Sequence, residues 1–323
     1  MKRRQLLLAA VATSSAMHTP SWSQASGWPN RPLRIVVGFP PGGSADTMAR
    51  ALANSLQKTL GQSVVVENKQ GASSIIAAEY VIRSTDGHTL FLHPAGIHAL
   101  RPHVTKLRFD PWKSLLMIST VATVPNVFVT SAKKPFKSLA DVVSYSKTSS
   151  QQLNMAMAGN ATQTHLTSEL FRRDAQLSAV AVPFNGAPPA LQALLAGDVD
   201  IVNVDANTVV NQIKSGQLTG LAVAARQRYQ FLPDVPTTSE AGFPEVLGSN
   251  SYGIHAPAAM EPAHQKILLA GVHAALKDPV LETVFKNAGL TPQGSTPAEF
   301  TAMAREDEAR YAPLIKALGL KME

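Results

Sequence analysis

Residues 33–60, LRIVVGFPPGGSADTMARALANSLQKTL, narrow the possible folds of this chain more than any other stretch. Leu33 to Phe39 is a nearly unbroken apolar run of strand length. Pro40 to Gly43 is a turn made of structure-ending residues, and a helical pattern opens at Ser44. A strand that passes through a tight turn into a helix is the opening unit of an α/β fold. The helix start offers unpaired backbone N–H groups and the positive end of the helix dipole, so a carboxylate or phosphate fits there. No basic residue lies between Ile35 and Ala49. The turn therefore reads as half of an anion clamp that works through backbone rather than through Lys or Arg.

The chain begins MKRRQLLLAAVATSSAMHTPSWSQA, with basic Lys2, Arg3 and Arg4, an apolar core from Leu6 to Ala12, and a small-x-small site at Ser23-Gln24-Ala25. Residues 1–25 are expected to be a signal peptide removed on export to the periplasm. The general secretory route is favoured over the twin-arginine route, because the Arg3-Arg4 pair lacks the rest of that consensus. What remains exceeds one ordinary core and predicts two lobes. No later apolar run is long enough to span a bilayer. The absence of cysteine excludes disulfides, a thiolate nucleophile and sulfur metal ligands. A net charge of +7 spread over scattered Lys and Arg, with 6% aromatic residues, does not describe a nucleic-acid surface.

Further strands are predicted at Ser63 to Glu67 and Thr89 to His93, with a helix from Gly71 to Arg83 between them. Strand–helix–strand alternation of apolar runs implies parallel order in a sheet covered on both faces. The β-rich segment Leu115 to Thr130 is expected to make the first crossing between lobes. A second α/β series with its own sheet follows. Its strands are expected at Leu153 to Ala158, Ala179 to Pro183, Asp200 to Val204 and Thr219 to Ala225. Its helices are expected at Leu139 to Lys147, Thr162 to Arg173, Pro188 to Ala196 and Ala206 to Lys214. A strand at Ser251 to Ala256 returns the chain, and helices from Pro262, Val280 and Pro297 complete the first lobe. The expected bounds are 26–128 and 251–323 for lobe 1 and 129–250 for lobe 2.

Leu153 to Phe171 repeats the opening logic: an apolar strand, a small loop of Gly159, Asn160 and Ala161 without Lys or Arg, then a helix start at Thr162, Gln163 and Thr164. Two such helix starts facing one cleft would suit an anionic ligand, and ligands of open α/β sheets bind beyond the carboxyl ends of strands. Asp46 either orders water in the cleft or serves the helix dipole. Asp205, at a strand end, either accepts from a ligand amine or caps the next turn. His93, His98 and His103 recur at a spacing that fits no metal site, and His98 alone is either a carboxylate donor or a loop residue. No Gly-x-Ser-x-Gly, His-Glu-x-x-His or phosphate-loop lysine motif is present. Neither an enzyme, a cofactor nor a metal is expected.

Motifs along the whole exported length are similar to those of a known family. They are WPNRPLRIVV (28–37) entering PPGGSAD (40–46), VVVEN (64–68), DGHTL (86–90), FDP (109–111), VPFNG (182–186), AGDVD (196–200), LPDVPT (232–237) and EAG (240–242). In this order the chain resembles the substrate-binding receptors of tripartite tricarboxylate transporters, the Bug receptors. The resemblance implies a two-lobe periplasmic binding protein of the second structural type, with two crossing strands and a cleft between the lobes. It also implies a small mono- or dicarboxylate held by backbone N–H groups, hydroxyls and water. Carried over, the first loop points to Phe39, Gly43, Ser44 and Asp46, and the second to Gly159, Thr162 and Gln163. Ala95, Gly96 and His98, the Asn185-Gly186 turn and Asp205 match further pocket positions. Where the family has Gly-Ser-Gly-Thr, this chain has Gly159-Asn160-Ala161-Thr162; where it has Pro-Gly-Ala-Gly-Gly-Asn, this chain has Gln70-Gly71-Ala72-Ser73-Ser74-Ile75.

The expected function is capture of a small carboxylate and delivery to the membrane subunits of a tripartite carrier, by a monomer. The same fold presenting its ligand to a sensor kinase is the signalling alternative. An exported phosphate-ester enzyme is a remote third, opposed by the missing lysine and base.

Overall fold

The computed structural model describes residues 27–321, so the expected signal peptide lies outside the described residues. Among the described residues nine strands form: β1 Leu33–Val37, β2 Val64–Asn68, β3 Thr89–Pro94, β4 Leu115–Ser131, β5 Leu153–Ala158, β6 Ala179–Phe184, β7 Ile201–Asp205, β8 Leu218–Val223 and β9 Ser249–Pro257. They join in the order β2-β1-β3-β9-β4-β7-β5-β6, with β8 also on β4. As expected, β1 pairs parallel with β2 and β3, and β5 parallel with β6 and β7. The β4 pairings are antiparallel.

The second half does not have a separate sheet, because β4 belongs to both halves. At 17 residues it is about 55 Å long, enough to cross the whole molecule. Its first part, Leu115 to Pro125, pairs with β9, and its second part, from Asn126, pairs with β7. Pro125 stands where the partners change. Proline has no N–H to give to a ladder, so the switch falls where a ladder bond would be lost anyway. Together β4 and β9 make the two crossing strands. One apolar cluster runs from Ile35 and Leu52 through Val121, Val124 and Val127 to Val202 and Leu194, so the halves share a core along β4.

Helix Ser44–Leu60 buries Met48, Leu52 and Leu56, a four-residue spacing that lines one face, and it ends at Gly61 in the left-handed region. Fully burying each of these side chains contributes roughly 1.5–3 kcal/mol. The helix expected over 71–83 is broken. Ala72, Ser73 and Ser74 all have positive φ, and a regular helix begins only at Ile75. The helix expected over 206–214 likewise divides into a short turn, Ala206–Thr208, and a segment from Val210. The last helix, Pro297–Ala317, packs Phe300 and Ala304 against Ala95 and Met117, and Tyr311 and Ile315 into the cluster of Phe128 and Leu166. It therefore reaches from one half of the molecule to the other.

Candidate ligand-binding site

The loop after β1 delivers Gly43 as the N-cap of helix Ser44–Leu60, with no side chain capping it. The N–H groups of the first turn are left for another acceptor. Asp46 does not supply it. Its carboxylate accepts from Gly42 N at 3.0 Å and from Arg50 Nε at 2.9 Å through one oxygen, and from Asn68 Nδ2 at 3.0 Å through the other. Asn68 also donates to the Phe39 carbonyl at 3.0 Å, so Asp46 and Asn68 brace the loop from behind. Burial would raise the Asp46 pKa, but the bonds from Arg50, Gly42 and Asn68 outweigh it and hold it below the usual value.

The opposite wall comes from two loops. Gly159 has φ +114, and a Cβ there would stand 2.6 Å from Thr162 Cγ2, so only glycine fits. Thr162 caps helix Gln163–Asp174 and donates to the Gly159 carbonyl at 2.8 Å. Gly186 caps helix Ala187–Ala196 without a side-chain bond, and its φ is +102. A Cβ on Gly186 would come within 3.0 Å of Pro40 Cδ, so the two walls approach closely here and a side chain at Gly186 would crowd Pro40.

The floor is built from β7, β4 and β9. Asp205 accepts from Asn126 Nδ2 at 3.0 Å, Asn250 Nδ2 at 2.7 Å and the Tyr252 hydroxyl. Burial pushes its pKa up against the bonds from Tyr252, Asn250 and Asn126. Burial and the adjacent Asp205 carboxylate push the Tyr252 hydroxyl well above its ordinary value. Beside this floor the Ser44 hydroxyl donates to Asn207 Oδ1 at 2.7 Å. Between walls and floor lies a cavity of about 50 Å³ with no Lys, Arg or His among the described residues on its lining.

Of the residues singled out in the sequence, Phe39, Gly43, Ser44, Thr162, Gly186 and Asp205 line this cavity. Gly159 and Asn185 line a smaller one of about 10 Å³ that shares Phe39 and Gly186 with it. Four lie elsewhere. Asp46 sits behind the loop. Gln163 is buried against Thr167. Ala95 packs against Met117 and Phe300. His98 is fully buried, stacked on His255 and edge-on to Trp112, because residues 96–104 fold into short helical turns that pack inward instead of forming an open loop. The structure adds Pro94, Thr164, Asn250 and Tyr252 to the lining. Asn250 and Tyr252 alternate along β9, a period-two signal present in the sequence but not tied to the cleft without the pairing of β9 to β4.

Residues 48–320 match the family described as Tripartite tricarboxylate transporter family receptor. Protein BugT of Bordetella pertussis is 33% identical over 305 residues, covering 93% of each chain. Among solved structures, the periplasmic binding protein BugD superposes with a TM-score of 0.86 at 29% identity, over 92% of this chain and 100% of that one. R. palustris Rpa4515 with adipate gives 0.86 at 29% identity, over 90% and 98%. MatC of Rhodopseudomonas palustris with bound malate gives 0.81 at 30% identity, over 89% and 99%. The chain belongs to the tripartite tricarboxylate transporter receptor family and is a periplasmic-type solute-binding receptor, not an enzyme.

Proposed function

We propose that the cleft captures a small mono- or dicarboxylate and that closure over it is what the membrane subunits of a tripartite carrier read. One observation carries this reading. Two helix starts without side-chain caps, Gly43 and Gly186, approach one cavity from opposite halves, and no cationic side chain lines it. The helix start at Gly43 offers the N–H groups of its first turn, whereas at Gly186 only the Ala187 N–H is free, because Pro188 and Pro189 have none and the Gly186 N–H donates to the Phe184 carbonyl. These N–H groups and the two helix dipoles supply the recognition. Adipate and malate in the two related structures are ligands of the kind such a cleft takes. The six lining residues named from the sequence, with Thr164, Asn250 and Tyr252, are the proposed contacts.

The cavity, about 50 Å³, has room for a few waters. The lobes, proposed as residues 26–128 with 251–323 and residues 129–250, part to admit ligand and close again on it. Export with removal of residues 1–25 delivers the receptor to the periplasm. A sensor kinase reading the same closed form is separated from the carrier by co-purification from membranes.

The test is a thermal-shift and calorimetric screen of refolded protein against carboxylates of two to eight carbons, aromatic acids, amino acids and phosphate esters. A ligand at about 100 times its Kd adds about 2.7 kcal/mol of stability. A carboxylate should give the shift. Silence from every carboxylate together with a shift from a phosphate ester would overturn the proposal.

A further inference from the structure

Behind the cleft lies a charge that no group among the described residues neutralises. Arg101 is 2% exposed, and its Nη1 has no hydrogen-bond partner among the described residues. Its Nη2 donates to the Ser73 carbonyl at 2.7 Å. Burial lowers its pKa to about 10, and no carboxylate opposes that shift. The guanidinium is nevertheless charged at neutral pH. The titratable neighbours that feel it are His93 and His165, whose own pKa values its charge helps to depress after burial has done most of it. Both are neutral there. Leaving a cation buried and unpaired costs several kcal/mol, so such groups are retained where an anion completes them.

Ser73 connects this charge to the ligand site. It lines the small cavity together with Gly71 from its own side and Gly159, Asn185 and Gly186 from the other, and that cavity adjoins the larger one at Phe39 and Gly186. The turn that carries Ser73 is held in an unusual form, with Ala72, Ser73 and Ser74 at φ 44, 45 and 77. Non-glycine residues there are strained, and Arg101 fastens the strained turn through its central carbonyl.

Building on the carboxylate reading above, we propose that Arg101 is the fixed counter-charge of the cleft. It holds the Ser73 turn against the cavity and makes affinity depend on the full negative charge of the ligand. It is a specificity-determining residue that acts from behind the wall, in addition to the backbone donors in front. Arg101 lines neither cavity, and a buried charge is screened less than one in water, so its field acts on a ligand it does not touch.

The experiment compares wild type, Arg101→Met and Arg101→Lys by calorimetry with succinate, malate, adipate and benzoate, each beside its amide. Thermal unfolding of ligand-free protein is recorded in parallel. In Arg101→Met the acid should bind about tenfold more weakly or worse, the amide should be unchanged, and the ligand-free Tm should hold or rise as the unpaired charge is removed. Arg101→Lys, which keeps the charge, should stay within about threefold of wild type for the acid. Equal losses for acid and amide, or a lowered Tm with unchanged acid affinity, would reduce Arg101 to a prop and overturn the proposal. So would an Arg101→Lys protein as impaired as Arg101→Met. Wild-type protein that binds no carboxylate at all would overturn the receptor reading itself, a different result from binding that ignores Arg101.

Discussion

The Ser44 hydroxyl donates to the Asn207 side-chain oxygen at 2.7 Å, joining the first turn of helix Ser44–Leu60 to the turn after β7 across 163 positions of sequence. Ser44 also lines the cavity. Asn207 stands beside the floor, so the bond ties the helix start to the floor, and with the proposed lobe division it would favour closure whether or not ligand is present.

Ser44→Ala should weaken carboxylate binding about fivefold to tenfold, the range expected for losing one neutral hydrogen bond of about 1 kcal/mol. The ligand-free protein should also sample more open forms, seen as a larger radius of gyration in solution scattering. An unchanged radius with unchanged affinity would show that closure does not depend on this bond.

Gly43 has φ −81 and ψ 175, which any residue adopts, and a Cβ would meet Pro40 O at 3.7 Å and Pro188 Cδ at 3.8 Å, both ordinary contacts. The fold therefore does not demand glycine here. Gly43→Val should leave unfolding free energy within about 1 kcal/mol of wild type, since only N-cap preference changes. Its methyl groups would lie over the helix start, and carboxylate binding should vanish in calorimetry. Wild-type affinity in this variant would remove the helix start from the site.

The opening strand, turn and helix were legible because their signal is local: an apolar run, Pro40-Pro41-Gly42-Gly43, then helical spacing. The crossing role of Leu115 to Ser131 was legible from its length. The broken helix at Ala72 to Ser74 was not, because positive φ at Ala and Ser has no propensity signal and here depends on tertiary contacts such as Arg101 to Ser73. His98 failed as a cleft candidate for the same kind of reason. A polar residue in a loop gives no sign that His255 and Trp112 will enclose it. Asp205 was found, but the donors that saturate it come from Asn126, Asn250 and Tyr252, whose proximity only strand pairing creates.

Gly38 and Ser74 form a matched pair. A Cβ at Gly38 would stand 2.2 Å from Ser74 Cβ and 2.8 Å from its Cα. Gly38→Ala should cost about 2 kcal/mol or more in urea unfolding, as overpacking does. Adding Ser74→Gly removes the nearer clash and relieves the left-handed strain at Ser74, so the double variant should regain at least half of the loss. Strict additivity of the two changes would show that the close approach is not what constrains Gly38.

Acid should destabilise the protein through histidines packed against the sheet. Burial holds His93 down to about 3 and His98 to about 4, and pushes His255 well below its ordinary value. Neither ring nitrogen of His255 has a partner, and His98 Nδ1 has none. Below about pH 6.5 the unfolded chain takes up protons on all three while the folded chain does not, so stability falls as pH falls. From about pH 7 to 5.5 each contributes a loss of about 1.3 kcal/mol. Asp307, raised by burial to about 6, works in the opposite sense, because the folded chain binds its proton first and gains stability on acidification. His165, also held down by burial, adds to the loss, and Asp205, pushed up by burial, works with Asp307 against it. The histidines should prevail, read as lower stability in urea unfolding at about pH 5.5 than at about pH 7. His98→Phe keeps an aromatic ring between His255 and Trp112 and removes one titration, so its pH dependence should be shallower by about one histidine's share. An identical slope in the variant would mean that His98 does not change protonation between the folded and unfolded chain.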